Sequence, residues 1–172
     1  MHALNRLGYA FDAVGQYTEA CETNEALYQL ALKLWDQNDK SVLLYGNNLA
    51  ASYQKCGRYR DAAALLEKLY AQSRAASQGE PTDLILLNNL SAVYTTLGEY
   101  ERALELLQRV YEQSWMLYGG EHEYTLHTLS NLADVYSRLD NHKTAVQLLE
   151  QAYQICKKRF GEAHVETLHL LQ

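Results

Sequence analysis

The chain has 172 residues, 48% of them hydrophobic, and a formal net charge of −6, the size of one globular domain with enough apolar content to bury a core. That acidic balance offers no basic stripe to neutralise phosphates, so neither nucleic acid nor an acidic membrane surface is expected as a partner. No run approaches the roughly 18 apolar residues of a membrane span, and Met1-His2-Ala3-Leu4-Asn5-Arg6 lacks the apolar core of a signal peptide, so a soluble, cytoplasmic protein is expected.

Composition favours helix throughout: Ala, Leu, Glu and Gln abound, proline occurs once, at Pro81, and the nine glycines are dispersed, as an all-α fold requires. In chain order, Arg6-Leu7-Gly8-Tyr9-Ala10-Phe11 opens a pattern that returns as Asn48-Leu49-Ala50-Ala51-Ser52-Tyr53. It returns again as Asn89-Leu90-Ser91-Ala92-Val93-Tyr94 and Asn131-Leu132-Ala133-Asp134-Val135-Tyr136, a period of about 42 residues with a one-residue deletion between Ala62 and Asn89. Four residues past each aromatic stands Gly15, Gly57, Gly98 or Asp140, types that tolerate the left-handed backbone of a helix C-terminus. Tyr17, Tyr59, Tyr100 and His142 follow, and then Ala20, Ala62, Ala103 and Ala145, small enough for a second helix to lie close against the first.

Each second helix continues with an apolar stripe at helical spacing, Leu104, Leu107, Val110 and Tyr111 in the third copy and Val146, Leu149, Ala152 and Tyr153 in the fourth. Tyr28, Tyr70, Tyr111 and Tyr153 share one position, expected to pack between repeats with the hydroxyl at a wet edge. The linker Tyr118-Gly119-Gly120-Glu121-His122 matches Phe160-Gly161-Glu162-Ala163-His164. Pro81 then falls in the first turn of a helix, where its missing N–H does no harm, with Asp39, Glu80, His122 and His164 near the N-caps. The repeats run approximately 1–38, 39–79, 80–121 and 122–163, with a partial fifth first-helix over 164–172, and 1–172 is expected to be a single solenoid domain. Cys21, Cys56 and Cys156 are widely spaced and odd in number, so a disulfide framework is not expected and small apolar filler is their simplest role.

Leu-Gly/Ala-x-x-Tyr, Gly-x-Tyr and Ala at fixed offsets resemble the tetratricopeptide repeat over nearly the whole chain. The long period, the Asn-Leu-Ala-x-x-Tyr opening and the Gly-x-x-His linker are similar to the kinesin light chain subtype. Arg6 in place of Asn, Asp140 in place of Gly, and Asn24 in place of a bulky apolar residue depart from that pattern. The resemblance implies an all-α, right-handed superhelical solenoid of antiparallel helix pairs whose first helices line a concave groove, a surface that commonly holds a peptide or partner helix.

On the helical wheel, residues half a turn from the buried Leu and aromatic stripe face that groove. They are Asn47, Asn48, Ala51, Gln54 and Lys55 in the second copy and Asn88, Asn89, Ala92, Thr95 and Thr96 in the third. In the fourth they are His127, Ser130, Asn131, Asp134, Ser137 and Arg138. The ladder Asn48, Asn89, Asn131 stands out because an amide donates and accepts, and so can pair either with the backbone of an extended ligand or with the neighbouring repeat. Lys55, Asp134, Arg138 and His127 place both signs of charge there. The Lys/Asn and Lys/Arg pairs that clamp a peptide C-terminal carboxylate are not reproduced, so chaperone-tail binding is not expected.

Catalysis is not expected, and no cofactor or metal is implied. His122 and His127 are five apart, whereas a zinc helix needs His residues four apart to face one ion. His164 and His169 repeat that spacing as a property of the repeat unit, and neither a phosphate-cradling Gly-rich loop nor a nucleophile elbow occurs. Glu99/Glu101 and Glu121/Glu123 belong to solvated turns. A protein–protein interaction module binding a peptide or partner segment is therefore the leading expectation. The alternative is a scaffold or regulatory sensor segment whose groove stays unliganded or self-occupied. The ragged ends suggest a piece of a longer protein, with end-to-end self-association through Leu168, Leu170 and Leu171.

Overall fold

Helix starts and stops follow from local chemistry that recurs with the repeat. The structure, a computed structural model, describes residues 2–76 and 81–160. Helices run in the order α1(His2–Ala13), α2(Tyr17–Leu34), α3(Lys40–Lys55), α4(Tyr59–Ala76), α5(Pro81–Leu97), α6(Tyr100–Tyr118), α7(Glu123–Arg138) and α8(His142–Phe160), with no strand among the described residues. None of these helices is long and apolar enough to cross a membrane. Asp39 caps α3 by accepting from the Ser41 N–H at 2.7 Å, and that backbone bond holds its carboxyl below the usual aspartate range. His122 does the same for α7 through Nδ1, 3.2 Å from the Tyr124 N–H. Pro81 opens α5, as its missing donor allows. Glu80, His164, His169, the partial helix over 164–172 and the leucines assigned to self-association lie outside the described residues.

Gly15, Gly57 and Gly98 adopt φ of 77°, 73° and 78°, and Asp140 adopts 58°, the one non-glycine positive φ among the described residues. In the first, second and fourth copies the turn closes with paired backbone bonds. Gly57 donates to Gln54 and Arg58 to Tyr53, at 3.0 and 2.8 Å, and Asp140 donates to Ser137 and Asn141 to Tyr136, at 3.1 and 2.9 Å. These are the bonds of a Schellman C-cap, in which the motif aromatic supplies the acceptor carbonyl. A side chain in that backbone region costs about 1–2 kcal/mol, against about 0.5–1 kcal/mol for the extra chain entropy of an unfolded glycine. Asp140→Gly is therefore expected to stabilise the protein by up to about 1 kcal/mol. A lower urea midpoint for the variant would show that left-handed strain does not decide this turn.

Three-residue turns between packed helices force the chain to reverse, so the pairs α1/α2, α3/α4 and α7/α8 are antiparallel. The small motif residues sit where those pairs close: Ala50, Ala20 and Ala62 have no exposed surface, and Ala133 and Ala145 are 1% and 5% exposed. The chain forms two compact units, Met1–Leu97 and Gly98–Gln172. In unit 1 each helix from α1 to α5 packs on the next, with α3 also touching α5. The core is built from Leu27, Val42, Leu66, Leu69 and Leu87 among others. In unit 2, α7 packs on α6 and α8, and Leu126, Leu129, Ala152 and Cys156 form a buried cluster flanked by Tyr111, Leu148 and Ile155.

Two expectations need correcting. Val146, counted in the apolar stripe of α8, is 53% exposed, because the helix turns Ala145, Ala152 and Cys156 inward instead. Tyr28 does not place its hydroxyl at a wet edge: it is 4% exposed and its hydroxyl is buried without a partner, and that burial raises its pKa. Tyr70, Tyr111 and Tyr153 are only half-buried. The departure at Asn24 also has a physical account. Its amide donates to the Ser52 hydroxyl at 2.7 Å, and a β-carbon on Gly8 would stand 3.3 Å from its carbonyl oxygen.

Candidate functional site

Every residue assigned to the groove from helical spacing is at least partly accessible, and none is buried. Their side chains emerge from α3 and α5 in unit 1 and from α7 in unit 2, on the side opposite the Leu and aromatic stripe. That stripe is buried where a preceding helix covers it. Leu49, Leu90 and Leu132 are 3–4% exposed, whereas Leu7 on α1 is 44% exposed, with no described helix on its other side.

In unit 1, α1 and α3 enclose a cleft of about 220 Å³. Asn5, Tyr9 and Asp12 line it from α1, and Asn48, Ala51 and Lys55 from α3. Asn24 and Ser52, already bonded to each other, close its floor. The Lys55 ammonium donates to Asp12 Oδ2, so the cation placed on the groove face is paired with a carboxylate within the cleft. Asp12 Oδ1 is buried and has no hydrogen-bond partner. A buried carboxylate oxygen without a donor is costly, and here it sits beside an ammonium with donors to spare.

The asparagine ladder divides into different environments. Asn48 lines the cleft. Asn89 donates from Nδ2 to Asn47 Oδ1 at 2.7 Å, tying α5 to α3. Asn131 lies 3.4 Å from His127 Nδ1, one turn away on α7. Asp134 and Arg138, on the same α7 face, pair with each other at 3.0 Å. Thr96 and Ser130 return their hydroxyls to the carbonyls of Ala92 and Leu126. Asn88 and Ala92 complete the α5 face, the first half-buried and the second exposed.

Helical spacing missed the α1 contributors Asn5, Tyr9 and Asp12. Asn5, Tyr9 and Asp12 stand one repeat before Asn47, Ala51 and Gln54, so the alignment held the signal for all three. A second regularity also escaped it. Tyr53 donates to Glu25 at 2.9 Å, Tyr94 donates to Glu67, and Gln108 donates to the Tyr136 hydroxyl at 3.2 Å. Each motif tyrosine thus bonds to one recurring position on the preceding second helix. Burial and then Glu25 push the Tyr53 phenol up to about 12. Arg58 stacks 4.1 Å over the Tyr53 ring and bridges Glu25 and Asp61 at 2.9 and 2.7 Å. These bonds fix repeat register and leave the cleft groups available. No cluster of three or more His, Cys, Asp or Glu able to hold a metal ion occurs among the described residues.

Two overlapping stretches, residues 39–114 and 82–158, match the tetratricopeptide repeat family model. No curated protein matches the chain significantly. A solved Podosopora anserina protein, described as a kinesin light chain with nearly identical TPR-like repeats, is similar at TM-score 0.88 and 27% identity, over 98% of this chain and 81% of that one. BtubC (BKLC) from P. vanneervenii aligns at TM-score 0.80 and 20% identity, over 90% of this chain and 62% of that one. The apo form of RapI aligns at 0.78 and 14%, over 98% and 64% of the two chains. At these lower identities the likeness is one of fold.

Proposed function

Because the chain belongs to the tetratricopeptide repeat family, whose fold is a general protein–protein interaction module, we propose that it binds an extended polypeptide segment in the α1–α3 cleft and along the adjoining face of α5. The observation that carries this reading is the pairing of Asp12 Oδ1, a buried acceptor without a donor, with Lys55 and Asn48 at its side. A peptide group presents one donor and one acceptor a few ångströms apart, so its N–H can satisfy Asp12 while its carbonyl accepts from Lys55 or Asn48. The readout is of backbone, and it requires no catalytic group. The Asn89 to Asn47 bond favours a scaffolding role for that rung alone, since an amide engaged with its neighbour holds the repeats in register.

Peptides selected from a random-sequence display library against the whole chain test the reading. A hydrogen bond to a charged group contributes about 1.5–3 kcal/mol. Lys55→Glu is therefore expected to weaken the selected peptides at least tenfold and Asn48→Ala, which removes a neutral hydrogen bond, about two- to tenfold, with amide shift changes concentrated in α1 and α3. Undiminished affinity in both variants would remove the cleft from consideration.

A further inference from the structure

Cys21 lies in the second turn of α2 and is 4% exposed, whereas Cys56 caps α3 and is half-buried. Although they belong to successive repeats, the two thiols are neighbours within hydrogen-bonding reach of each other. The Cys56 thiol also donates to the Tyr17 carbonyl at 3.0 Å, and Tyr17 is one turn before Cys21 on α2. The Arg58 guanidinium stands 3.8 Å from Cys21 Sγ, held in place by Glu25 and Asp61. Neither is in a disulfide, and nor is Cys156, which is buried in the unit 2 cluster. Apolar filler does not require two neighbouring sulfurs beside a fixed cation.

We propose that Cys21 and Cys56 form an oxidisable dithiol that a peroxide converts to a disulfide, covalently joining the start of α2 to the end of α3. The two sulfurs have different roles. Burial, followed by the nearby Cys56 and Glu25, pushes the Cys21 thiol up to about 11, so it is a poor first nucleophile. Cys56, the more accessible sulfur, attacks one oxygen of hydrogen peroxide as its thiolate. The O–O bond breaks, the departing hydroxide takes up the proton that Cys56 released and leaves as water, and Cys56 becomes a sulfenic acid. The Cys21 sulfur then attacks the Cys56 sulfur, the S–O bond breaks, and hydroxide leaves with the Cys21 proton as a second water. Two thiols have lost two electrons, and one peroxide has been reduced to two waters. Arg58 supports the second step, because negative charge develops on Cys21 within reach of its guanidinium.

The reduced full chain is treated with hydrogen peroxide, alkylated, and analysed by intact mass and peptide mapping. The expected product is 2 Da lighter than the reduced chain before alkylation, as two hydrogens are lost, and titratable thiols fall from three to one. The peptides containing Cys21 and Cys56 are then linked, and Cys156 is alkylated. Cys21→Ser is expected to leave a sulfenic acid on Cys56 that dimedone traps, while Cys56→Ser leaves Cys21 reduced at the same peroxide dose. The wild-type map needs no variant. Cys56 carried to sulfinic or sulfonic acid with Cys21 still reduced, or a disulfide that includes Cys156, overturns the proposal.

Discussion

Gly46→Val is expected to destabilise unit 1 by about 3 kcal/mol, making it one of the most damaging single substitutions in the chain. Gly46 is buried in the middle of α3, and a β-carbon there would meet the two Leu69 methyls of α4 at 2.7 and 2.8 Å and the Tyr28 ring of α2 at 3.0 Å. Those neighbours cannot step aside, because Leu69 has no exposed surface and Tyr28 is 4% exposed. Two effects oppose each other at this position. Removing a glycine from a helix interior gains up to about 1 kcal/mol, while overpacking a filled core costs about 1–3 kcal/mol and occasionally more. Alanine should therefore be mildly destabilising, and valine, with two further carbons and a β-branch, should stand at the upper end.

The two tryptophans make the test specific, since one lies in each unit. Trp35, at the end of α2, stacks on Tyr45 of α3 with ring centroids 6.4 Å apart, so in a Trp115→Phe background its fluorescence follows the packing around Gly46. A urea midpoint that falls for alanine and falls further for valine is expected. Leu69→Ala, costly by itself, should recover part of the loss when combined with Gly46→Ala. A rise in stability on Gly46→Ala would mean that α3 does not need this close approach.

Leu129→Ala should have an effect of similar or larger size in unit 2. Leu129 is 2% exposed within the cluster of Leu126, Ala152 and Cys156, and truncating it opens a cavity that close-packed neighbours only partly refill. Such truncations cost about 2–5 kcal/mol. A unit of roughly 75 residues has about 4–11 kcal/mol of stability in total, so a large share is lost. The melting temperature is expected to fall by at least about 10 °C. Trp115 reports on this directly: it meets Tyr111 edge-on at 5.8 Å, and Tyr111 packs against the cluster. An unchanged Trp115 transition in a Trp35→Phe background would show that the cluster does not hold unit 2 together.

Helix identity, the turn glycines, the motif alanines and the N-caps at Asp39 and His122 were all legible from residue types at fixed offsets. They depend on a few consecutive residues: a positive φ wants glycine, an orphan N–H wants a short acceptor, and two helices that approach closely want small side chains. The accessible face of α3, α5 and α7 was legible for the same reason, because a period of 3.6 residues assigns faces within a single helix. Which partner each polar group on that face finds is a different matter. Lys55 reads only as a cation on the groove face until α1 brings Asp12 beside it, and Asn89 reads as a rung open to ligand until α3 offers Asn47.

The sequence by itself therefore determined the repeat, the helices, their ends and which face of α3, α5 and α7 is wet. Tertiary structure alone decided the Asp12–Lys55 pairing in the cleft, the tyrosine bonds from repeat to repeat, the buried Tyr28 hydroxyl, the outward turn of Val146 and the approach of Cys21 to Cys56. The physical reason is range. Backbone hydrogen bonds join residues three to five apart and are encoded locally. The depth and rotation with which one helix settles on another depend on side-chain volumes from several helices at once, and those volumes decide which groups meet across a repeat.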